Sequence, residues 1–146
     1  MEDHWRKIEV DWQGETAFIG RNAAGGSVQM GKLEGKPGIS PVEMVLMGLA
    51  GCTGVDIADI LRKMRQPFEA LKIKVSGKQA PEYPMIYTEI EVTYFIWAQE
   101  IDRKAVERAI QLSEDKYCSV SAMLRCAANI HSTYHILHPG ETIESM

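Results

Sequence analysis

The sequence predicts an α+β fold in a single domain spanning all 146 residues, with a mainly antiparallel sheet and one long central helix. Two observations carry this prediction. Short stretches in which apolar and polar residues alternate, typical of half-buried strands, occur on both sides of the chain's middle. Between them, residues 40–66 form a long apolar stretch with a clear helix start and no strong internal breaker. The predicted order is three strands, the long helix, two strands, two helices and one strand.

The N-terminal region predicts three short strands. Ile8, Val10 and Trp12 alternate with polar residues, which favours a strand with one apolar face. Glycine-containing turns then separate this strand from the next two. The second and third predicted strands lie around residues 16–19 and 28–30.

The long helix has a strong start signal. Ser40 is a candidate N-cap, Pro41 has the backbone torsion suited to the first helical position, and Glu43 completes a capping box. The helix can continue to Gln66, because Pro67 disfavours helical geometry at the residue before it. Its first half is apolar on all sides, which predicts a central, buried helix.

A row of glycines marks one side of this helix. Gly48, Gly51 and Gly54 recur every third residue, although each glycine costs a helix about 1 kcal/mol relative to alanine. Such a row allows another backbone to approach, either the chain's own sheet or the helix of a second subunit. One small sheet and two short helices offer too little cover for so apolar a helix, so we expect a homodimer.

The C-terminal half predicts the remaining elements from periodicity and capping. Alternation predicts two strands after Pro67 and a third near the end of the chain. Asp102 can cap the first of two intervening helices. The predicted elements are strands at 71–75, 86–97 and 129–137 and helices at 102–113 and 119–127.

Composition argues against several classes of protein. The net charge of −4 and the absence of a large basic cluster give no support for nucleic-acid binding. We expect no membrane association, because the N-terminus lacks a signal-peptide core and no uninterrupted apolar run reaches about 20 residues. Three cysteines, an odd number, argue against a disulfide framework and favour the reducing cytoplasm.

Two cysteines stand in distinct local contexts. Cys52 lies deep within the long helix, where Asp56 and Asp59 would oppose a thiolate unless a cation approached from elsewhere. Cys118 lies at or just before the start of a short helix, where free amides stabilise a thiolate. From local physics alone, Cys118 is expected to be the more acidic thiol and Cys52 the buried one. An inert packing role is the usual alternative for a cysteine in an apolar helix.

These segments together resemble the OsmC/Ohr family. The residues concerned are Ser40-Pro41-x-Glu43, Gly51-Cys52-Thr53, Asp56-Ile57 and Lys116-Tyr117-Cys118-Ser119-Val120. The likeness is greatest to the branch with the KYCSV motif at the second cysteine. It implies an intertwined homodimer with two long helices at its centre and active sites at the interface. It also implies a thiol peroxidase that reduces organic hydroperoxides, with Cys52 attacking, Cys118 resolving and an external dithiol as reductant.

The resemblance also brings expectations about supporting residues. Peroxidases of this family pair the attacking cysteine with an arginine from the N-terminal strands and a glutamate ten residues before it. Arg21 is the best candidate for that arginine, and Arg6 is a poor second. Alternatively, Arg21 is a solvated charge at the end of a strand with no role at the site. Position 42 is Val42 instead of glutamate, and the capping box already accounts for Glu43. A non-enzymatic thiol protein or small hydrophobic ligand binder is therefore the alternative function.

No cofactor or metal is expected. His131 and His135 would lie about 13 Å apart on a strand, too far to share an ion. His138 extends the same stretch without changing that spacing. Cys126 belongs to no motif and is expected to be a packing or surface residue.

Overall fold

A computed structural model describes residues 4–146. The chain divides into two compact units, residues 1–45 and 46–146. Its elements are β1 (Ile8–Gly14), β2 (Ala17–Asn22), β3 (Ser27–Met30), α1 (Pro41–Lys63), β4 (Ala70–Gln79), β5 (Tyr87–Trp97), α2 (Arg103–Leu112), a π-helical segment (Ser113–Tyr117), α3 (Ser119–Leu124) and β6 (Asn129–Leu137). This order confirms the α+β prediction, and the sheets contain antiparallel pairs as expected.

The first unit contains a three-stranded antiparallel sheet in the order β1-β2-β3. Val10 pairs with Gly20, and Gly20 pairs with Val28, so these residues lie side by side on one face of the sheet. This is the apolar face that the alternation predicts. The apolar side chains on this face remain exposed in the single chain, at 42% for Val10 and 66% for Trp12. The face therefore has the composition of a core surface without being buried.

The capping box at the start of α1 is confirmed. The Ser40 backbone N–H donates to the Glu43 carboxylate at 2.9 Å, and the Glu43 N–H donates to Ser40 Oγ at 3.2 Å. These two bonds satisfy two amides that the first helical turn leaves unpaired. Hydrogen bonds from the Ser40 backbone and side chain lower the pKa of Glu43.

The end of α1 differs from the prediction. The helix ends at Lys63, not Gln66, because Arg65 adopts a left-handed conformation with φ of 57°. The Gln66 N–H donates to Leu61 C=O at 2.9 Å and the Arg65 N–H to Arg62 C=O at 3.0 Å. This is the hydrogen-bond pattern of a Schellman motif, with arginine where glycine is usual. Because that glycine is absent, Pro67 was the remaining stop signal, and the end predicted from it lies three residues too late.

The second unit is built on a sheet in the order β4-β5-β6. β4 and β5 are antiparallel, whereas β5 and β6 are parallel because α2, the π-helical segment and α3 form the crossover between them. One face of β5 is buried as predicted. The shared core joins α1, this face and α2, through Leu49, Ile57, Leu61, Ile90, Val92, Tyr94, Ile96, Ala105, Val106, Ala109 and Ile110.

Only one stripe of α1 is buried in the single chain. Leu49, Thr53, Ile57 and Leu61 recur every fourth residue and form that stripe. The expectation of a helix buried on all sides is therefore wrong for one chain, because its sheet and short helices cover a single side. Met47 and Val55 remain 50% and 71% exposed.

The glycines of α1 differ in what lies beside them, and the sequence had left open either the chain's own sheet or a second subunit. A Cβ at Gly54 would lie 3.0 Å from Ile73 Cδ1, so this glycine packs on the chain's own sheet. A Cβ at Gly48 or Gly51 would meet no atom within 4 Å outside the helix. By length and composition alone α1 could cross a membrane, a test that the core helix of a soluble protein also passes.

Candidate functional site

Cys52 and Cys118 come together in the second unit. Cys52 is half-buried on α1 and Cys118 is buried at the start of α3, with only 3% of its surface exposed. Both side chains pack in the same core, and Cys52 lies close enough to raise the pKa of Cys118. All three cysteines are free thiols in this structure. The pair thus combines a partly accessible sulfur with a buried one beside it.

The chain positions Cys118 through an unusual turn. The Cys118 N–H donates to Ser113 C=O at 2.7 Å, which closes the five-residue π-helical segment before it. Cys118 is then the N-cap of α3, and its sulfur accepts a hydrogen bond from the Ser121 N–H at 3.3 Å. π-helical turns are rare and are frequent at functional sites. The sequence predicted the N-terminal position of Cys118 but not this turn.

The electrostatics of Cys118 contradict the expectation from helix position. Burial, together with the hydrogen bond and charge of Cys52, raises the pKa of Cys118 to about 11. The amides of Ser121 and Val120 act in the opposite direction but do not compensate. Cys118 is therefore a protonated thiol at neutral pH, and it is the more buried cysteine of the pair. The expectation that helix amides favour a Cys118 thiolate was therefore wrong, because desolvation outweighs a few amides. The expectation that Cys52 is the buried cysteine was wrong as well.

A buried hydrogen-bond network lies beside this pair, and the sequence had given no sign of it. Tyr94 on β5 is fully buried, and its hydroxyl donates to Glu114 Oε1 at 2.9 Å. The other carboxylate oxygen of Glu114 accepts from Ser132 Oγ at 3.1 Å. Burial, the charge of Glu114 and the charge of Cys118 raise the pKa of Tyr94, whereas a hydrogen bond from Thr53 lowers it. Tyr94 therefore interacts with Thr53, the neighbour of Cys52, and electrostatically with Cys118.

Further hydrogen bonds fix the π-helical segment. Ser113 Oγ donates to Asp56 Oδ2 on α1 at 2.9 Å, and Arg125, which follows α3, donates to Glu114 C=O at 2.7 Å. Asp59, the other acid predicted near Cys52, pairs with Lys63 at 3.0 Å. Asp56 therefore holds the segment that carries Cys118.

Arg21 lies in the first unit, on β2. Its guanidinium pairs with Asp11 at 3.2 Å, and about half of the Arg21 side chain is exposed. Exposed pairs of this kind contribute about 0.2–1 kcal/mol, so the contact holds Arg21 only weakly. The same strand borders a cavity of about 360 Å³ on the apolar face, next to Gly20 and Val28.

The remaining candidates have local explanations. Cys126 is exposed, and its thiol donates to Ala122 C=O at 3.6 Å. His131 contacts the Glu89 carboxylate at 3.2 Å, and His135 stacks on Phe95 with ring centres 5.2 Å apart. Within residues 4–146, no group of three or more metal-ligating side chains is close enough to hold an ion.

Comparison with known proteins gives a consistent set of relatives. Protein YhfA of Escherichia coli K12 is 35% identical over 131 residues, covering 90% of this chain and 98% of that protein. The crystal structure of a hypothetical protein from Aquifex aeolicus VF5 superposes with a TM-score of 0.83 at 33% identity, covering 94% of this chain and 98% of the other. The organic hydroperoxide resistance protein OhrB of Bacillus subtilis has a TM-score of 0.59 at 16% identity, covering 90% and 98% of the two chains.

These comparisons have different weight. The likeness to OhrB concerns the fold alone, because the identity is low. The profile of OsmC-like proteins matches residues 33–133, which include α1, both motif cysteines and most of β6. Together with the 35% identity to YhfA, this match shows that the chain belongs to the OsmC-like protein family.

Proposed function

We propose that this protein is a cysteine-based peroxidase that reduces organic hydroperoxides in defence against oxidative stress. The Cys52 thiolate attacks the peroxide oxygen, which breaks the O–O bond, leaves a Cys52 sulfenic acid and releases the alcohol after protonation of the alkoxide. The Cys118 thiol then attacks that sulfur, so that a disulfide forms and water is released. An external dithiol reduces the disulfide and restores both thiols.

The observation that carries this proposal is the proximity of two cysteines of unequal exposure. Cys52 is partly accessible and can meet a substrate, whereas the buried and protonated Cys118 is suited to react only with an oxidised Cys52 beside it. Attack before resolution is the order that a two-cysteine peroxidase requires. The fold shared with a hydroperoxide resistance protein supports this class of reaction. The KYCSV motif at residues 116–120 further suggests membership of the branch that carries it.

We also propose that the active protein is a homodimer. The side of α1 that this chain leaves exposed and the exposed apolar face of the first sheet together present more apolar surface than a stable monomer usually does. The helix of a second copy could approach closely along Gly48 and Gly51, where this chain leaves the space beside the helix unfilled. In such an assembly, Arg21 of one of the two chains would supply the cation that stabilises the Cys52 thiolate.

The same features support alkyl hydroperoxides as the proposed substrates and the cytoplasm as the proposed compartment. An apolar helix around Cys52 favours alkyl hydroperoxides over hydrogen peroxide, since each buried CH₂ contributes about 0.8 kcal/mol. The catalytic cycle needs reduced thiols and a dithiol donor, and both are supplied in the cytoplasm. The chemistry uses no metal or cofactor.

One observation favours the alternative of a thiol protein or small hydrophobic ligand binder with little peroxidase activity. Position 42 holds valine, and Glu43 is engaged in the capping box. No carboxylate is then available at the place where family peroxidases have one. The alternative predicts that the chain binds apolar ligands but consumes hydroperoxide only at the background rate of free thiols.

Consumption of tert-butyl hydroperoxide in the presence of dithiothreitol separates these functions. We expect catalytic turnover by the intact protein and by Cys126→Ser, and none by Cys52→Ser. Cys126→Ser is the matched control, because it removes a thiol that lies outside the pair. Turnover of the intact protein no faster than that of Cys52→Ser would reject the peroxidase and favour the binder.

A further inference from the structure

Resolution of a sulfenic acid at Cys52 requires two residues that are distant in sequence to meet in one geometry. Cys52 lies within α1, whereas Cys118 is the N-cap of α3, so different elements carry the two sulfurs. A reaction between two groups is fast only where the fold holds both in position, and a displacement of about 1 Å can lower the rate about 100-fold. The connection between these two elements therefore matters for the proposed chemistry.

Ser113 connects the two elements through two hydrogen bonds. Its hydroxyl donates to Asp56 Oδ2 at 2.9 Å, and its carbonyl accepts from the Cys118 N–H at 2.7 Å. Asp56 lies on α1, one helical turn after Cys52. Ser113 is the first residue of the π-helical segment, which ends immediately before Cys118. A short path of hydrogen bonds thus joins the two cysteines, in addition to the long covalent connection through the sheet.

The bridge between Ser113 and Asp56 lies away from bulk solvent. Ser113 has 0% of its surface exposed, and Asp56 is half-buried. A buried hydroxyl that loses its partner is destabilised by desolvation, so the bonded arrangement is favoured over separation. Hydrogen bonds to a carboxylate are also about twice as strong as those between neutral groups. The bond therefore holds the start of the π-helical segment against α1.

On the basis of the proposed peroxidase function, we propose that Asp56 and Ser113 are positioning residues that hold Cys118 beside oxidised Cys52. In the resolving step the Cys118 sulfur bonds to the sulfenic sulfur of Cys52 and the S–O bond breaks. The thiol proton and the departing hydroxide leave as water, so one sulfenic acid and one thiol become one disulfide and one water. Asp56 and Ser113 exchange no proton and fix the placement of the two sulfurs before the bond forms.

The π-helical segment offers a matched control for this bond. Ser132 Oγ donates to the Glu114 carboxylate at 3.1 Å, which is again a bond between a serine hydroxyl and a carboxylate. Ser132 belongs to β6, so this bond fixes the segment to the sheet and not to α1. Ser132→Ala therefore removes the same type of bond from the same segment while leaving the bridge to the Cys52 helix intact.

Single turnover with tert-butyl hydroperoxide measures the two chemical steps separately. Asp56→Ala and Ser113→Ala should form the Cys52 sulfenic acid at least as fast as the intact protein, but form the disulfide about 10–100-fold more slowly. Asp56→Asn should retain most of the disulfide rate, because its amide oxygen can still accept from Ser113. Ser132→Ala should match the intact protein. Dimedone trapping follows the sulfenic acid, and mass spectrometry without reduction follows the disulfide.

A glutathione redox buffer tests the same placement without peroxide. At equilibrium, the fraction of Cys52–Cys118 disulfide gives the effective concentration of one thiol toward the other. Asp56→Ala and Ser113→Ala should lower this effective concentration about 10–100-fold, because the reduced thiols are no longer held together in advance. A bond that only stabilised the fold would affect the reduced and oxidised forms equally and leave the equilibrium unchanged.

Two results would overturn the positioning role. The first is an unchanged effective concentration and disulfide rate in both Asp56→Ala and Ser113→Ala. The second is equal slowing in Ser132→Ala, which would indicate a general loosening of the π-helical segment. If the buried Ser113→Ala fails to fold, Asp56→Ala at a half-buried position still decides between these results.

The two measurements also separate this proposal from the peroxidase proposal. If the glutathione equilibrium shifts as expected but the intact protein does not consume hydroperoxide, the peroxidase fails and the positioning role stands. If hydroperoxide turnover is normal and both measurements are unchanged in the variants, the positioning role fails and the peroxidase stands.

Discussion

The two cysteines of the pair lie in opposite kinds of helical environment. Cys52 is in the middle of a long helix, far from free amides, whereas Cys118 is at a helix start and accepts a hydrogen bond from the Ser121 amide. Helix position alone would make Cys118 the thiolate. The structure contradicts this expectation, because burial and the neighbouring Cys52 raise the pKa of Cys118 and keep its thiol protonated.

The magnitudes explain the reversal. A helix terminus contributes about 0.3–1 kcal/mol to an adjacent charge. Burial and the neighbouring thiol raise the pKa of Cys118 from its ordinary value of 9.0 to about 11, which corresponds to about 2–3 kcal/mol. Burial therefore determines the protonation state, and the short helix supplies mainly geometry.

The largest expected effect comes from replacing each of the two cysteines in turn with serine. Cys52→Ser should abolish both peroxide consumption and trapping of a sulfenic acid by dimedone, because it removes the attacking sulfur. Cys118→Ser should still form a trappable sulfenic acid at Cys52, yet fail to form the internal disulfide. Mass spectrometry of the dimedone adducts distinguishes the two variants. A sulfenic acid at Cys118 in Cys52→Ser would reverse the assignment.

A second comparison concerns Arg21, the cation that we propose stabilises the Cys52 thiolate. Arg21→Ala should slow the first step about 10–1000-fold, the range expected when a neighbouring cation no longer lowers the pKa of an acid. Stopped-flow oxidation of Cys52 measures this rate. Asp11→Asn is the matched control, since it frees Arg21 from its ion pair without removing the guanidinium. An unchanged rate in Arg21→Ala would leave this arginine as a solvated strand-end charge.

The buried state of Cys118 also predicts a pH dependence of stability. Between about pH 9 and pH 11 the unfolded thiol loses its proton while the folded one keeps it, so stability falls as pH rises. This single group should lower the free energy of unfolding by about 2 kcal/mol across that interval. Urea unfolding of the intact protein and Cys118→Ser at pH 8 and pH 11 isolates the contribution. Equal losses in both proteins would contradict the raised pKa of Cys118.

The smallest expected effect tests whether the exposed side of the Cys52 helix is covered by a second copy. In a monomer, Gly51→Ala should stabilise the helix by about 1 kcal/mol, since the added methyl group meets no atom within 4 Å. In the proposed homodimer the same methyl should destabilise by about 1 kcal/mol or more through overpacking. Thermal unfolding at several protein concentrations gives the sign. Light scattering that shows a 16.4 kDa monomer at micromolar concentration would reject the dimer.

The elements with local signals could be predicted from the sequence, whereas those set by tertiary packing could not. The capping box at Ser40 and the alternation in β5 produced the expected helix start and buried strand face. The left-handed Arg65 has no glycine to announce it, and the π-helical segment has neither glycine nor proline. The π-helical segment also depends on a bond to a distant residue, from Ser113 to Asp56.

The same distinction applies to the candidate site. Motif context identified Cys52 and Cys118, and the structure places them in one core, close enough to interact. The burial of Cys118 and its link to Tyr94 arise only when β5 packs beside α1 and α3, so no local pattern could reveal them. Residues 24 positions apart in sequence, on a strand and after a helix, carry no shared spacing that would mark them as neighbours.

Peptide mapping after one equivalent of tert-butyl hydroperoxide tests the central claim most directly. The protein is oxidised, the remaining thiols are alkylated, and the digest is analysed without reduction. We expect a Cys52–Cys118 cross-link within one chain and an alkylated Cys126, because the first two side chains lie close together and the third is exposed. A dominant Cys118–Cys126 bridge, or a disulfide between two chains, would contradict the division of roles between Cys52 and Cys118.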